Sequence, residues 1–232
     1  MTILRCATLG IVLALASCSR GHSPEVSSAQ AATATAPAAS TNATGPAGPA
    51  GHAEVGSPAP DFDLKDTDGH EVHLADLRGK TVVLEWFNPG CPFVNAAHTK
   101  GSLKGLAARY IAKGVVWLGI DSAAPGHQGY EVKDVRDAVA RFGLTHPILR
   151  DESGVVGHAY GATNTPHMFV IDKTGTLVYA GAIDNSPDGE GESPQGGHLV
   201  NYVDEAMTDL DAGRPVRTPR TKAYGCGVKY SS

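Results

Sequence analysis

From Val55 onward the chain alternates between two periods, one of two residues and one close to four. Asp61-Phe62-Asp63-Leu64 and Glu71-Val72-His73-Leu74 alternate polar with apolar residues, with the turn Asp66-Thr67-Asp68-Gly69 between them, which predicts a β-hairpin. Thr81 to Phe87 is a nearly continuous apolar run bounded by Arg78-Gly79-Lys80 and Asn88-Pro89-Gly90, the pattern of a buried strand. Pro92 fits the first position of a helix, and the pattern carries that helix to about Ala112. A second buried strand follows over 115–120. A helix over 132–142 is closed by Gly143, then come a short strand over 147–150 and a short helix over 154–160. Residues 168–171 and 177–182 form a hairpin around Asp172-Lys173-Thr174-Gly175, and a last helix runs over 199–210. The order β-β-β-α-β-α-β-α-β-β-α predicts an α/β sandwich on a mixed sheet.

The first 54 residues follow neither period. Arg5 precedes the short apolar run Ile11-Val12-Leu13-Ala14-Leu15-Ala16, which is too short to cross a bilayer and fits the core of an export signal over 1–17. Leu15-Ala16-Ser17-Cys18 resembles the bacterial lipobox, and the resemblance implies cleavage before Cys18 and lipidation of its sulfur. Ser19, rather than Asp, after the lipidated Cys favours the outer membrane over the inner one in that pattern. Between Val26 and Ala53 the chain is mostly Ala, Thr, Ser, Pro and Gly, with no Asp, Glu, Lys or Arg. Such a segment buries too little surface to offset an ordering cost of roughly 1–2 kcal/mol per residue. Residues 18–54 therefore read as a tether holding the domain to the envelope, on the periplasmic side of a membrane.

Composition narrows the function. The protein has 232 residues, 41% hydrophobic and 19% charged, with a net charge of −5, which argues against a nucleic-acid partner. Of its four cysteines, Cys6 leaves with the signal and Cys18 carries lipid. The mature domain, residues 55–212, keeps Cys91, and a tail over 213–232 carries Cys226. No phosphate-binding glycine loop, Ser-His-Asp arrangement or spaced acidic pair stands out, and no cofactor is implied.

Cys91 lies where a buried strand gives way to a helix. Unpaired amides and the helix dipole favour a thiolate there, the form that attacks disulfides and peroxides. The segment Leu84-Glu85-Trp86-Phe87-Asn88-Pro89-Gly90-Cys91-Pro92-Phe93-Val94 resembles the active-site segment of the thioredoxin-like redoxins, closest to the alkyl hydroperoxide reductase / thiol-specific antioxidant group. Thr165-Pro166 resembles the cis-proline that faces the active Cys in those folds. The resemblance covers about 55–230 and implies a thioredoxin-like fold, a nucleophilic Cys91, and Trp86, Asn88, Pro92, Thr165, Pro166 and His167 around the substrate. Two departures stand out. Val94 occupies the place of the second thioredoxin Cys, and Leu84 and Asn88 stand where peroxiredoxins carry Pro and Thr or Ser.

Glu85 matches the buried acid of thioredoxins. Burial raises a carboxyl's pKa, which makes Glu85 a candidate general acid or base. Asn95 and His98, four and seven residues after Cys91, share a helix face with it. Cys226 sits between Gly225 and Gly227 in a tail expected to be mobile. It is either a resolving thiol brought to Cys91 by a swing of that tail, or a lone surface thiol.

The expected activity is thiol–disulfide exchange or thiol-dependent peroxide reduction. Partners are a protein or small-molecule thiol, disulfide or peroxide, an external thiol reductant, and the membrane through the anchor. Two other classes stay open: a metal-handling factor, prompted by His70 and His73, and a non-catalytic interaction domain.

Overall fold

The computed structural model describes residues 53–231, so the expectations for the signal over 1–17, for Cys18 and for nearly all of the tether lie outside the described residues. The expected α/β architecture is present. The strands are β1 (Asp63–Asp66), β2 (Glu71–His73), β3 (Val82–Trp86), β4 (Val116–Asp121), β5 (Ile148–Arg150), β6 (Asn164–Thr165), β7 (His167–Ile171), β8 (Leu177–Gly181) and β9 (Cys226–Gly227). The helices are α1 (Pro92–Thr99), α2 (Leu106–Ile111), α3 (Val132–Phe142), α4 (Val155–Tyr160) and α5 (Tyr202–Asp211). Seven strands form one mixed sheet in the order β2-β1-β5-β4-β3-β7-β8, and β6 pairs with β9 in a separate ladder.

Strand β3 lies in the middle of the sheet, parallel to β4 and antiparallel to β7, and every one of its residues is buried. That explains its unbroken Val-Val-Leu run. Its alternate residues feed two cores. Val82, Leu84 and Trp86 join Ile120, Phe169 and Tyr160 of α4 on one face. Val83 joins Trp117, Met168, Tyr110 of α2 and Met207 of α5 on the other. Phe87, Cys91, Val94 of α1 and Val135 of α3 pack together with Ile148 at the carboxyl end of the central strands.

Two expectations need correction. The helix expected over 92–112 is broken into α1 and α2. Gly101 lets the chain approach the loop after β8 so closely that an added Cβ would lie 2.1 Å from the Gly189 carbonyl oxygen, and Gly105 has φ +71°. The tail is also not mobile: residues 219–230 are bonded along the body of the domain, and β9 is part of that docking. The final helix begins at Tyr202, where the Asn201 side chain accepts the Asp204 N–H at 2.9 Å, a standard helix cap.

Candidate active site

Cys91 is set by a loop whose polar groups are all used locally. Asn88 accepts the Gly90 N–H on its side-chain oxygen at 3.0 Å and donates its amide to the Gln128 carbonyl at 2.7 Å. Its own carbonyl accepts the Cys91 N–H at 3.1 Å. Cys91 is the cap of α1, with Pro92 at the first helical position. The expectation that Asn88 meets substrate is thereby corrected: its amide is buried and committed to holding the loop.

The Cys91 sulfur faces two groups, the Thr165 carbonyl oxygen at 3.0 Å and the Cys226 sulfur at 2.9 Å, and both cysteines are free thiols. The Thr165–Pro166 peptide bond is cis, as the resemblance implied. Burial pushes the Cys91 thiol up, but the Cys226 S–H and the Val94 N–H, which donate to the sulfur anion, outweigh it and hold Cys91 below the ordinary thiol range. Cys226 is pushed up to about 11, first by burial and then by the bond and charge of Cys91, with Lys229 opposing. Of the two thiols, Cys91 is therefore the one whose ionisation the site favours.

Cys226 is delivered by bonds spread along the tail. The Thr221 N–H and the Pro219 carbonyl pair with Ala180, and the Thr221 hydroxyl accepts the Ala182 N–H at 2.8 Å. The Tyr224 hydroxyl donates to Asp184 at 2.7 Å. In the ladder Thr165 stands opposite Cys226 and Asn164 opposite Gly227. Gly225 has φ +112°, and an added Cβ would lie 2.3 Å from the Thr165 carbonyl oxygen, so glycine is required there. Beyond β9, the Val228 N–H bonds to Thr163, the Lys229 carbonyl to the Ala124 N–H, and Tyr230 stacks on His158 at 4.1 Å. The swing proposed for the tail is unnecessary, because the two sulfurs already meet.

Glu85 is fully buried, as expected, but its ionisation is the reverse of the expectation. Burial alone would raise its pKa. His98 of α1, whose Nε2 lies 2.7 Å from Glu85 Oε1, and the Trp117 indole N–H at 3.3 Å instead hold the carboxyl below the usual range. His98 thus faces Glu85, stacked on Phe142 at 5.2 Å, and not a partner in solvent. His146 lies close by. Both of its ring nitrogens are buried without a hydrogen-bond partner among the described residues, and burial pushes its pKa down to about 4. The sequence carried no signal for His146, because its neighbours come from β3, β4 and α1.

One more expected contact is corrected. Trp86 is fully buried in the core on the opposite sheet face, where its indole N–H donates to Ser122 at 3.0 Å. His167 follows the cis-proline and is half-buried; its ring packs on Phe169 at 4.4 Å and lies 3.4 Å from the Thr163 N–H, and burial lowers its pKa to about 4. Pro92 and Asn95 line a cleft of about 300 Å³ beside Cys91, together with Pro89, Gly90, Thr99 and Glu190. Glu190 comes from the Gly-rich loop after β8. Of the two histidines read as a possible metal pair, His70 bonds Asp66 and His73 bonds Asp63.

A thioredoxin-like fold with a helix-capping cysteine, a cis-proline beside it and a second cysteine in contact defines a redox protein of the thioredoxin-like class. Residues 54–195 match the Redoxin family, and the chain belongs to that family. The thiol-disulfide oxidoreductases ResA of Geobacillus thermodenitrificans and Geobacillus kaustophilus are each 36% identical over 130 residues, which cover 53% of this chain and 66% of theirs. The match thus spans just under two thirds of those relatives' length. Among solved structures, an uncharacterized conserved protein of Geobacillus kaustophilus is 30% identical with a TM-score of 0.65, covering 77% of this chain and 93% of its own. A hypothetical protein of Sinorhizobium meliloti 1021 is 28% identical with a TM-score of 0.67, covering 77% and 96%.

Proposed function

We propose that the protein is a thiol–disulfide oxidoreductase in which Cys91 is the nucleophile and Cys226 the resolving thiol. The observation that carries this reading is the 2.9 Å contact between the helix-capping Cys91 sulfur and the sulfur of a second cysteine. In the reducing direction the Cys91 thiolate attacks one sulfur of a substrate disulfide, and the other sulfur leaves as a thiolate. Cys226 then attacks the Cys91 sulfur of the mixed disulfide. The second substrate sulfur departs and takes up the Cys226 proton, leaving a Cys91–Cys226 disulfide and a reduced substrate. The names of the ResA relatives support exchange over peroxide reduction, and so does the position of Asn88, which is buried with its side chain bonded to Gly90 and Gln128. Thr165 supplies its carbonyl and Pro166 the cis bond that turns the chain at the sulfurs.

The test compares Cys91→Ser and Cys226→Ser in parallel disulfide-reduction and peroxide-reduction assays. Cys91→Ser is expected to abolish disulfide reduction, and Cys226→Ser to stall as a mixed disulfide on Cys91. Turnover by Cys91→Ser at the native rate overturns the reading, and faster turnover of peroxide than of any disulfide moves it to the peroxidase class. We also propose, from the lipobox resemblance, that Cys18 anchors the domain in the cell envelope, with Ser19 favouring the outer membrane. An unmodified Cys18 in the mass spectrum of the mature amino terminus overturns that.

A further inference from the structure

The two sulfurs differ in what surrounds them. Cys91 is 1% exposed and lines a cleft with Pro89, Pro92, Asn95 and the paired Lys100 and Glu190, a lining that includes no residue of the tail. Cys226 is half-buried on a two-residue strand, followed by exposed Gly227. The residues around Cys226 also have a distinct charge. From 213 to 232 the chain holds Arg214, Arg217, Arg220, Lys222 and Lys229 and no acidic residue, although the whole protein carries −5. Arg214 and Arg217 are engaged by Asp209 and Glu205. Arg220, Lys222 and Lys229 enter no ion pair among the described residues, and the charge of Lys229 acts on the Cys226 thiol.

We propose that the oxidised protein is recharged from the tail side: an anionic thiol attacks Cys226, not Cys91. This rests on the disulfide assigned above and adds which sulfur the reductant meets and what charge the reductant carries. The reductant thiolate forms a bond to the Cys226 sulfur. The Cys91–Cys226 bond breaks, and its electron pair stays on Cys91 as the thiolate. A second reductant thiolate attacks the first reductant's sulfur, releasing Cys226, which takes a proton from solvent. The products are the protein dithiol and the oxidised reductant dimer. Two physical reasons favour this direction of attack. The more exposed cysteine is met first, and the sulfur expelled is Cys91, whose pKa the site lowers, since a lower-pKa thiol leaves faster. The oxidant meets Cys91 through the cleft, so the two half-reactions use separate approaches to one disulfide.

The experiment uses the oxidised full chain, the monothiol 2-mercaptoethanesulfonate and a rapid acid quench. Trypsin releases Cys91 within residues 81–100 and Cys226 within residues 223–229, so the adducted cysteine is read directly by mass. The expected early adduct lies on 223–229, at least tenfold over 81–100. A predominant adduct on 81–100 overturns the inference while leaving the disulfide intact. Oxidised protein that lacks the cross-link between the two peptides overturns both the inference and the reading beneath it. At low salt, and corrected for thiolate fraction, 2-mercaptoethanesulfonate should react faster than 2-mercaptoethanol, and that faster than cysteamine. One nearby charge gives about a threefold effect per step. Lys229→Glu should reverse the order. An order indifferent to salt and to Lys229→Glu overturns the anionic character of the partner.

Discussion

The loop that carries Cys91 runs from the central strand into a helix and is held by bonds within the domain body, whereas the segment that carries Cys226 is held by single bonds reaching back across the chain. Asn88 alone makes three of the contacts that set Cys91. Cys226 depends on Thr221, Tyr224, Gly225, Val228 and Tyr230, each docking at a different place. The difference teaches that one sulfur shares the stability of the core while the other has a local stability of its own. In native proteins such peripheral segments open at lower free energy than the core. A redox pair made this way can separate without unfolding.

The sharpest way to test the core side is to remove Glu85. Glu85→Ala leaves His98 and the Trp117 indole without their buried acceptor, beside a His146 that already lacks one. Leaving a buried polar group without its hydrogen-bond partner costs about 1–3 kcal/mol, and the loss should appear as a lower urea midpoint for the whole domain. Glu85→Gln keeps the volume and one acceptor oxygen and should lose less. A midpoint for Glu85→Ala within about 1 kcal/mol of the native value would show that the pair contributes little to the face under α1.

The tail side breaks differently. Gly225→Val places a branched side chain at φ +112° and against the Thr165 carbonyl oxygen. It should expel the strand while leaving the urea midpoint of the body nearly unchanged. The expected effect is a fall of about 100-fold in the rate at which Cys91 and Cys226 join under mild oxidant, because Cys226 is then held only by its tether. Native rates of disulfide formation in Gly225→Val would mean that docking of β9 is not what brings the sulfurs together.

The same division marks what the sequence could show. The 81–87 run, the Asn-Pro-Gly turn and Pro92 are local signals, and they placed β3, Cys91 and the start of α1. Val132 to Phe142 became a helix within its expected bounds because its period and closing Gly143 are also local. Most of the failures are contacts between distant segments. The break between α1 and α2 is marked inside 92–112 by Gly101 and Gly105, but the close approach that requires Gly101 is to Gly189, far along the chain. Glu85 was legible as buried, but not as ionised, because the group that decides is His98 on another element. Trp86 looked like a site residue by its neighbourhood to Cys91, yet strand alternation turns it to the opposite face. The tail looked mobile because Gly-Cys-Gly is a flexible composition. Its order comes from partners 39 or more residues away, such as Ala182 for Thr221 and Asp184 for Tyr224.

The mildest perturbation separates local from global stability most cleanly. Tyr224→Phe deletes only the hydroxyl that donates to Asp184, and Asp184 keeps its bonds from Ser102 and the Ser186 N–H. The phenyl ring retains its place near Phe93, whose ring centre lies 6.3 Å away. A hydrogen bond to a carboxylate removed in this setting costs about 1–2 kcal/mol. If the tail opens as its own unit, that cost falls on tail opening alone. Amide exchange at Val228, whose N–H bonds to Thr163, should accelerate about fivefold or more, while exchange in β3 stays at the native rate. Equal acceleration at Val228 and in β3 would mean that tail and core open together, and the contrast between the two sulfurs would then be one of exposure only.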